Sequence, residues 1–492
     1  MVDVCRQTNP TDRKDLPMSI IQHIAAELTE KVLETLMNDG LNDIGKAVKS
    51  FVPIVSDTVL KIVSAYLKEM DDALCAGAKA IRKQDGITVK ERRVDRTILT
   101  ELGELNYQRT YFRLKDGTFL YLLDQLIGVE EYERISKELI ADLLNAATIK
   151  SYQKAIDATG QDISRQTVHN RLLALKELTL DVEPVEETPE TLDLFADEDH
   201  AHLNPKGNAI VPLVTITEGM DISDPKRHKT IHPVHIAAYN MSQEAFNENV
   251  LAVLNQRYDL SRVKQINLHA DGGNWILGLQ KMIPKCRLVM DGYHLEKYLR
   301  AILHLDGASS YAGVIRQALS REDGYESLER YCIAIYERQI SEANRQKVRS
   351  FLSYCASHWN AIVLRMKRET CGSCTESMVS HILSERLSRS PIAWSKGGLS
   401  RMTMLVVYTK NGCRVLAHDV RVRPDDRSYP DYRIHGYSKY SMYAKQQADD
   451  AMKAYQNNDF FVPEHFSFGK VDGPYLIRKS LGHLRSLSEL IA

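Results

Sequence analysis

The hydrophobic rhythm of this 492-residue chain changes at residues 179–191, and that change excludes a uniform architecture. Before it, apolar residues mostly recur three and four apart, as in Ile21, Ile24, Leu28, Val32 and Leu36, the stripe of an amphipathic helix. After it, TLDLFADEDHAHL, AIVPLVTITEGM and KTIHPVHIAAYN alternate with the period of two that belongs to strands. Between them lies TLDVEPVEETPET, acidic and carrying two prolines, which reads as a linker. A helical stretch, SQEAFNENVLAVLNQRY, and two more strands, QINLHADG and RLVMDG, follow, so the second half is expected to build a mixed α/β sheet.

A chain of this length exceeds what one hydrophobic core serves, and a multidomain α/β protein is expected. Residues 1–85 are predicted to be helical, a bundle or a dimerisation arm, and 90–128 a small β meander with turns at Gly103 and Lys115-Asp116-Gly117. The meander is locally basic, through Arg92, Arg93, Arg96, Arg109, Arg113 and Lys115, which suits either phosphate contact or a solvated sheet face. Residues 129–178 read as a helix-turn-helix region, 192–408 as the α/β domain, and 409–492 as a basic and aromatic tail. The polar start, eight cysteines and lack of a run of about twenty apolar residues point to a cytoplasmic protein with reduced thiols and no membrane span. The net charge of −1 requires any nucleic-acid surface to be local.

Within SYQKAIDATGQDISRQTVHNRLLALK, one helix is predicted to run to about Ala158, Gly160 to turn the chain, and Ser164 to cap a second helix. Arg165, Gln166, His169 and Asn170 lie near the start of that helix, where side chains reach the major groove of double-stranded DNA. Val168, Leu172 and Leu173 are expected to face inward. An ordinary helical hairpin has the same outline.

LHADGGNWI (268–276) and RLVMDGYHLEKY (287–298) each drive an apolar run into an aspartate followed by glycine. Reacting groups in open α/β sheets sit beyond the carboxyl ends of the strands, and a glycine there allows close approach to the backbone. Gathered carboxylates repel unless a cation joins them, and hard oxygen ligands suit Mg²⁺ or Mn²⁺, two of which serve an in-line displacement at phosphorus. Asp193, Asp197 and Asp199 share one face of the first strand after the linker. Downstream, a helix is predicted over about Thr375–Leu387 with Met378, Ile382 and Leu383 buried, and Glu376 in its first turn is either a cap residue or a third acid.

Other features have plainer readings. Cys371-Gly-Ser-Cys374 is a lone CxxC that cannot complete a four-ligand zinc site unless residues such as His381 and Cys413 join it, and is read as two free thiols. His200 and His202 read as satisfied strand-end histidines, and Trp275 as a core residue or a base-stacking platform. Lys396 and Arg401, near Trp394, suit phosphate, and Arg421, Arg423, Arg427 and Arg433 interleave with Tyr429, Tyr432, Tyr437 and Tyr440 as in a nucleic-acid groove or a packed loop.

ADEDHAHL, HADGGNWI, MDGYHLEKYL and TESMVSHILSERLSRSPIAWS, in that order after RTILTELGELNYQRTYF and SYQKAIDATGQDISRQTVHNRL, resemble the ISLre-type insertion-sequence transposases. These are bacterial DDE enzymes, distantly related to Mutator-like transposases, and the resemblance spans roughly residues 90–470. It implies an RNase H-like catalytic domain with a helical insertion at about 295–370. It further implies a triad of Asp197, Asp271 and Glu376 holding two Mg²⁺ or Mn²⁺ ions, with Asp291 and His294 of the D-x-x-H element beside it. Asp199 is the alternative to Asp197. The implied function is cleavage and strand transfer at the ends of an insertion sequence by a homo-oligomer near the nucleoid. The alternative is an inactive or domesticated transposase that only binds DNA.

Overall fold

The computed structural model describes residues 15–39, 43–77, 86–224, 228–367, 370–372, 374–420 and 446. The arginines and tyrosines of 421–445 lie outside these. The chain divides into two compact units, the described part of the first being residues up to 96, 106–129 and 446, and that of the second 97–105 and the described residues from 130 to 420.

In the first unit, α1 (Asp15–Asp39) and α2 (Ile44–Asp72) are joined by ion pairs of Lys31 and Lys61 with Glu27 and Asp57. Asp43 caps α2 by accepting from Gly45 and Lys46 amides. Ile44–Ala76 is long and apolar enough to cross a membrane by length and composition, which corrects the expectation that no stretch qualifies. That expectation looked for an unbroken apolar run, whereas this helix reaches its hydropathy with Asp57 and Lys61 included, and both pair with α1.

The expected meander is a three-stranded sheet of β1 (Thr88–Thr100), β2 (Gly103–Arg113) and β3 (Phe119–Tyr121), followed by the short α3 (Leu122–Leu126). Gly103 and Gly117 adopt positive φ at its turns. Arg109 is not available to phosphate: it is buried, ion-paired with Asp124, and stacked 3.5 Å over the Tyr121 ring.

The second unit begins with α4 (Lys137–Ala147), α5 (Tyr152–Thr159) and α6 (Arg165–Ala174). Gly160 at φ +68° makes the turn between the last two, and the Ser164 hydroxyl accepts from the Thr167 amide. Val168 and Leu172 are buried as expected, but Leu173 is more than a third exposed.

Five strands form a mixed sheet in the order β10-β9-β4-β5-β8. They are β4 (Thr191–His202), β5 (Asn208–Thr217), β8 (Val234–Ala237), β9 (Gln265–Ala270) and β10 (Cys286–Met290); β6 (Met220–Asp221) and β7 (Lys229–Thr230) pair apart. β4, β5 and β8 are antiparallel, while β9 and β10 extend β4 in parallel. α7 (Gln243–Arg257) and α8 (Asn274–Met282) are the helices between strands. The expected insertion is α9 (Gly292–Leu303), α10 (Ala312–Leu319), α11 (Tyr325–Arg338) and α12 (Glu342–Lys367). Thr375–Val379, a π-helical turn Ser380–Ser384 and Glu385–Leu387 form α13, and Lys396–Lys410 forms α14.

Two cores lie on this sheet. Leu192, Leu194, Ala196, Ile266, Leu268 and Met290 pack with the insertion helices in one. Ala201, Val211 and Leu213 pack in the other with Val168 and Leu172 of α6, Leu383 of α13 and Leu399 of α14. The helix-turn-helix region therefore shares a core with α13 and is not a separate body before a linker. Residues 179–191 are likewise packed: Val182 is buried in the first core, Leu180 and Val185 lie against it, and the Val185 amide donates to the Arg257 carbonyl. Their apolar side chains, spaced among the acids, make this a docked strap.

Candidate active site

Strand register sets the site. Phe195 pairs with His269 and Met290 with Ala270, so two residues beyond the first pair and one beyond the second, Asp197, Asp271 and Asp291 fall into a row across β4, β9 and β10. The Asp291 amide still donates to the Ala270 carbonyl at 2.8 Å, so the pairing continues past the strand ends. Period-two alternation puts these aspartates on the face of Asp193, Phe195 and His269. α13 brings Glu376 to the same face in its first turn.

Asp197 is pushed up to about 6. Burial is the largest cause; the Glu198 amide and His294 oppose it, and the charges of Asp271 and Glu376 add to it. These acids, from three distant chain segments, thus act on one another directly. His294 is raised above its usual range by its bond to Asp291, against burial, with the charges of Asp197, Asp291 and Asp271 adding to the rise.

Asp291 is buried and held from two sides. It caps α9 by accepting from the His294 amide at 3.0 Å, lies 3.1 Å from His294 Nδ1, and accepts the Thr375 hydroxyl of α13. It therefore joins the D-x-x-H helix to the residue before Glu376. Asp291, Arg365, Cys374, Thr375, Glu376 and His381 line an open cleft of about 470 Å³.

Hydrogen bonding separates Asp197 from Asp199. Asp199 is buried and accepts the hydroxyls of Ser384 and Ser388 at 2.9 and 2.7 Å, which fastens β4 to α13. Asp197 accepts only its neighbour's amide among the described residues and faces the other acids. The carboxylates of Asp197, Asp271 and Glu376 are hard oxygen donors, and the charges of the last two act on Asp197; among the described residues, the donor atoms that lie within 4.8 Å of one another belong to another cluster, Asp193, His269 and Cys371.

The glycines after the two aspartates admit protein side chains, where the sequence suggested a substrate. Gly272 has φ +88°, and a Cβ there would stand 2.6 Å from His358 Cε1; one at Gly292 would stand 2.5 Å from an Arg365 guanidinium nitrogen. His358 sits at a non-helical kink in α12, and the charge of Asp271 acts on it. Sequence reasoning missed His358 and Arg365. Their only local sign is a histidine and an arginine on a long helix, and nothing in the spacing points to the aspartates.

Other candidates settle into ordinary roles. Trp275 donates to Glu198 at 2.9 Å and packs against the first core, so it is not a base-stacking platform. Trp394 is buried and donates to the Leu387 carbonyl. His200 is exposed 3.9 Å from Glu198, and His202 bonds Asn208. On α6, Arg165, Gln166 and Asn170 are exposed, with Gln166 donating to Asn170 at 2.8 Å. His169 is not presented with them: its ring packs on Gly398, where a Cβ would stand 3.2 Å from Cε1, and faces Tyr152.

A second cluster lies one step back from the acid row. Asp193 Oδ1 is 2.9 Å from His269 Nε2 and 3.0 Å from the Asn267 amide nitrogen, and His269 Nε2 is 3.6 Å from Cys371 Sγ. Burial tends to raise Asp193, but its bonds to His269 and Asn267 bring it below the usual carboxylate range.

The model of an uncharacterised protein family, UPF0236, matches residues 37–423. UPF0236 protein TTE0402 of Caldanaerobacter subterraneus subsp. tengcongensis is 28% identical over 409 residues, 81% of each chain. Another protein from that organism, whose name joins eleven designations beginning with TTE0033, is 28% identical over 387 residues, 77% of this chain and 80% of the relative. A UPF0236 protein in the vanSb 3′ region of Streptococcus gallolyticus is 26% identical over 345 residues, 65% of this chain and 74% of its own length.

Proposed function

From the premise that the chain belongs to the uncharacterised protein family UPF0236, we propose that it is a DDE transposase of the ISLre type, with an RNase H-like catalytic domain. One observation carries the reading: Asp197, Asp271 and Glu376 come from separate segments and converge closely enough for two of them to raise the pKa of the third. The sheet supports it. Three antiparallel strands in sequence, with two parallel strands on the far side of the first, make a mixed sheet compatible with the RNase H-like domain proposed. The relatives' names also agree, since eleven designations for one protein in one genome are what a self-copying element would leave.

Asp197, Asp271 and Glu376 would hold two Mg²⁺ or Mn²⁺ ions, which when bound supply Lewis-acid stabilisation of charge on phosphate oxygens. Asp291 holds His294 toward Asp197 and Asp271 and ties α9 to α13, so it positions the acids. Water attacks the phosphodiester at the element's end and the 3′ oxygen leaves as a hydroxyl; that hydroxyl then attacks a target phosphodiester, its P–O bond forms as the target's own 3′ oxygen leaves, and the proton it loses passes to that oxygen through solvent. Both are in-line displacements, so one site serves both. Arg165, Gln166 and Asn170 would read the element's ends in double-stranded DNA. The protein would work as a homo-oligomer in the bacterial cytoplasm, at the nucleoid.

The test is mobilisation. A resistance marker replaces the coding region between its own flanking DNA, the chain is supplied separately, and new insertions are counted by sequencing. Wild type is expected to yield insertions and Asp271→Asn none. A wild type that binds the flanks but never mobilises them would instead support the inactive, DNA-binding reading.

A further inference from the structure

We propose that Asp193, His269, Cys371 and Cys374 form a structural zinc site that fastens the segment before α13 to the sheet. One ligand atom each from Asp193, His269 and Cys371 lies within 4.8 Å of the others, although the residues span 178 positions of sequence. Ligands on a tetrahedral zinc with bonds of about 2.0–2.3 Å stand about 3.3–3.8 Å apart; the 3.6 Å from His269 to Cys371 falls within that range, and the 2.9 Å from Asp193 to His269 lies a few tenths of an ångström below it. The fourth ligand would be Cys374, three residues beyond Cys371 and half-buried at the N-cap of α13, which completes the donor set on movement of a side chain. A CxxC pair with a histidine and a carboxylate is a complete zinc donor set. The missing ligands are not His381 or Cys413, and alternation along β4 and β9 places the two found here on one sheet face.

The surroundings suit a closed structural site. Asp193 and His269 are almost wholly buried, and the thiols are half-buried. Zinc would make the thiols ligands as thiolates and offset the carboxylate's charge.

The placement gives the site a purpose. His269 precedes Asp271 by two residues, Cys374 precedes Glu376 by two, and Asp193 precedes Asp197 by four on the same strand face. One ion would join the three segments that carry the acids. The zinc site does not depend on the transposase reading, because it needs only the donor geometry.

The full-length chain, produced in zinc-supplemented medium, is measured for metal content and then exchanged with Co²⁺. About one zinc per chain is expected, with a thiolate-to-cobalt charge-transfer band and the intense visible bands of tetrahedral cobalt. Cys371→Ser/Cys374→Ser should lose both the metal and the band, while Cys413→Ser and Asp271→Asn keep them. Circular dichroism checks that each variant folds. If the double variant does not fold, the wild-type cobalt spectrum still decides, since its thiolate intensity reports two sulfur ligands. A folded wild type without zinc, a cobalt spectrum lacking the thiolate band, or full metal retention in the folded double variant overturns the proposal.

Discussion

The two faces of the same five strands differ in kind. One carries Leu192, Leu194, Ala196, Val214, Ile216, Ile266, Leu268, Ala270, Leu288 and Met290, all apolar and all in one core. The other carries Asp193, Asp197, Asp199, Thr215, Thr217, His235, Asn267 and His269. Burial of apolar area accounts for the first face. The second buries carboxylates and imidazoles at considerable desolvation cost, which specific partners must offset. His269 with Asp193, Ser384 with Asp199, and Thr215 with His235 are such partners. Asp197 and Asp271, by contrast, accept only backbone amides, of Glu198 and Gly273, among the described residues. The first face is apolar throughout, while the second sets its polar groups beside the apolar residues Ala201, Val211 and Leu213 of the other core.

The largest effect expected from breaking this contrast is on catalysis. Asp271→Asn or Glu376→Gln should remove Mg²⁺-dependent nicking of an element-end fragment while gel shifts stay near wild type. Asp291→Asn, which acts through His294 and Thr375, should lose about 10- to 100-fold. Equal loss in Asp291→Asn and Asp271→Asn would move Asp291 into the set of direct ligands.

On the apolar face the effect is on stability. Leu268→Ala should cost about 2–5 kcal/mol in denaturant unfolding, with nicking per folded molecule unchanged. A comparable fall in specific activity would mean that the faces are not separable.

Acid should test the polar face. His235 is held down to about 4, mainly by burial and further by Lys410. The unfolded chain takes up this proton near 6.5, before the folded chain does, so its contribution is complete above about 6.5 and is lost as pH falls toward 4. The loss is about 3 kcal/mol. Unfolding of wild type and His235→Asn compared across that window should show the shallower slope in the variant. Parallel slopes would contradict the assignment.

The smallest effects belong to α6. Alanine at Arg165, Gln166 or Asn170 should weaken binding to the specific end by about 1–3 kcal/mol wherever the native side chain grips a base through two hydrogen bonds. Binding to random DNA should change less. His169→Ala should act on stability, through Gly398 and Tyr152, more than on sequence preference.

What the sequence made legible was local. Alternation and the Asp-Gly stops located β4, β9, β10 and their aspartates, and the cap at Ser164 stands where the second helix of the pair was expected to start. The span Thr375–Leu387 agrees with helical periodicity even though a π turn interrupts it. What stayed hidden depends on tertiary approach. Asp197 and Asp199 look alike along a strand and part only when Ser384 and Ser388 arrive at one of them. His358 and Arg365 reach the aspartates because α12 folds back over Gly272 and Gly292. The acidic segment 179–191 misled because charge and proline drew attention from Leu180, Val182 and Val185.

The central claim, that Asp197 and Asp271 form one cation site on the polar face, is tested most directly by Mn²⁺ titration followed by electron paramagnetic resonance. Wild type should take up two Mn²⁺ per chain, more weakly as pH falls through about 6, where Asp197 gains its proton. Asp199→Asn should bind as wild type does, and Asp197→Asn and Asp271→Asn should not. Unchanged Mn²⁺ uptake in a folded Asp271→Asn chain would contradict the account.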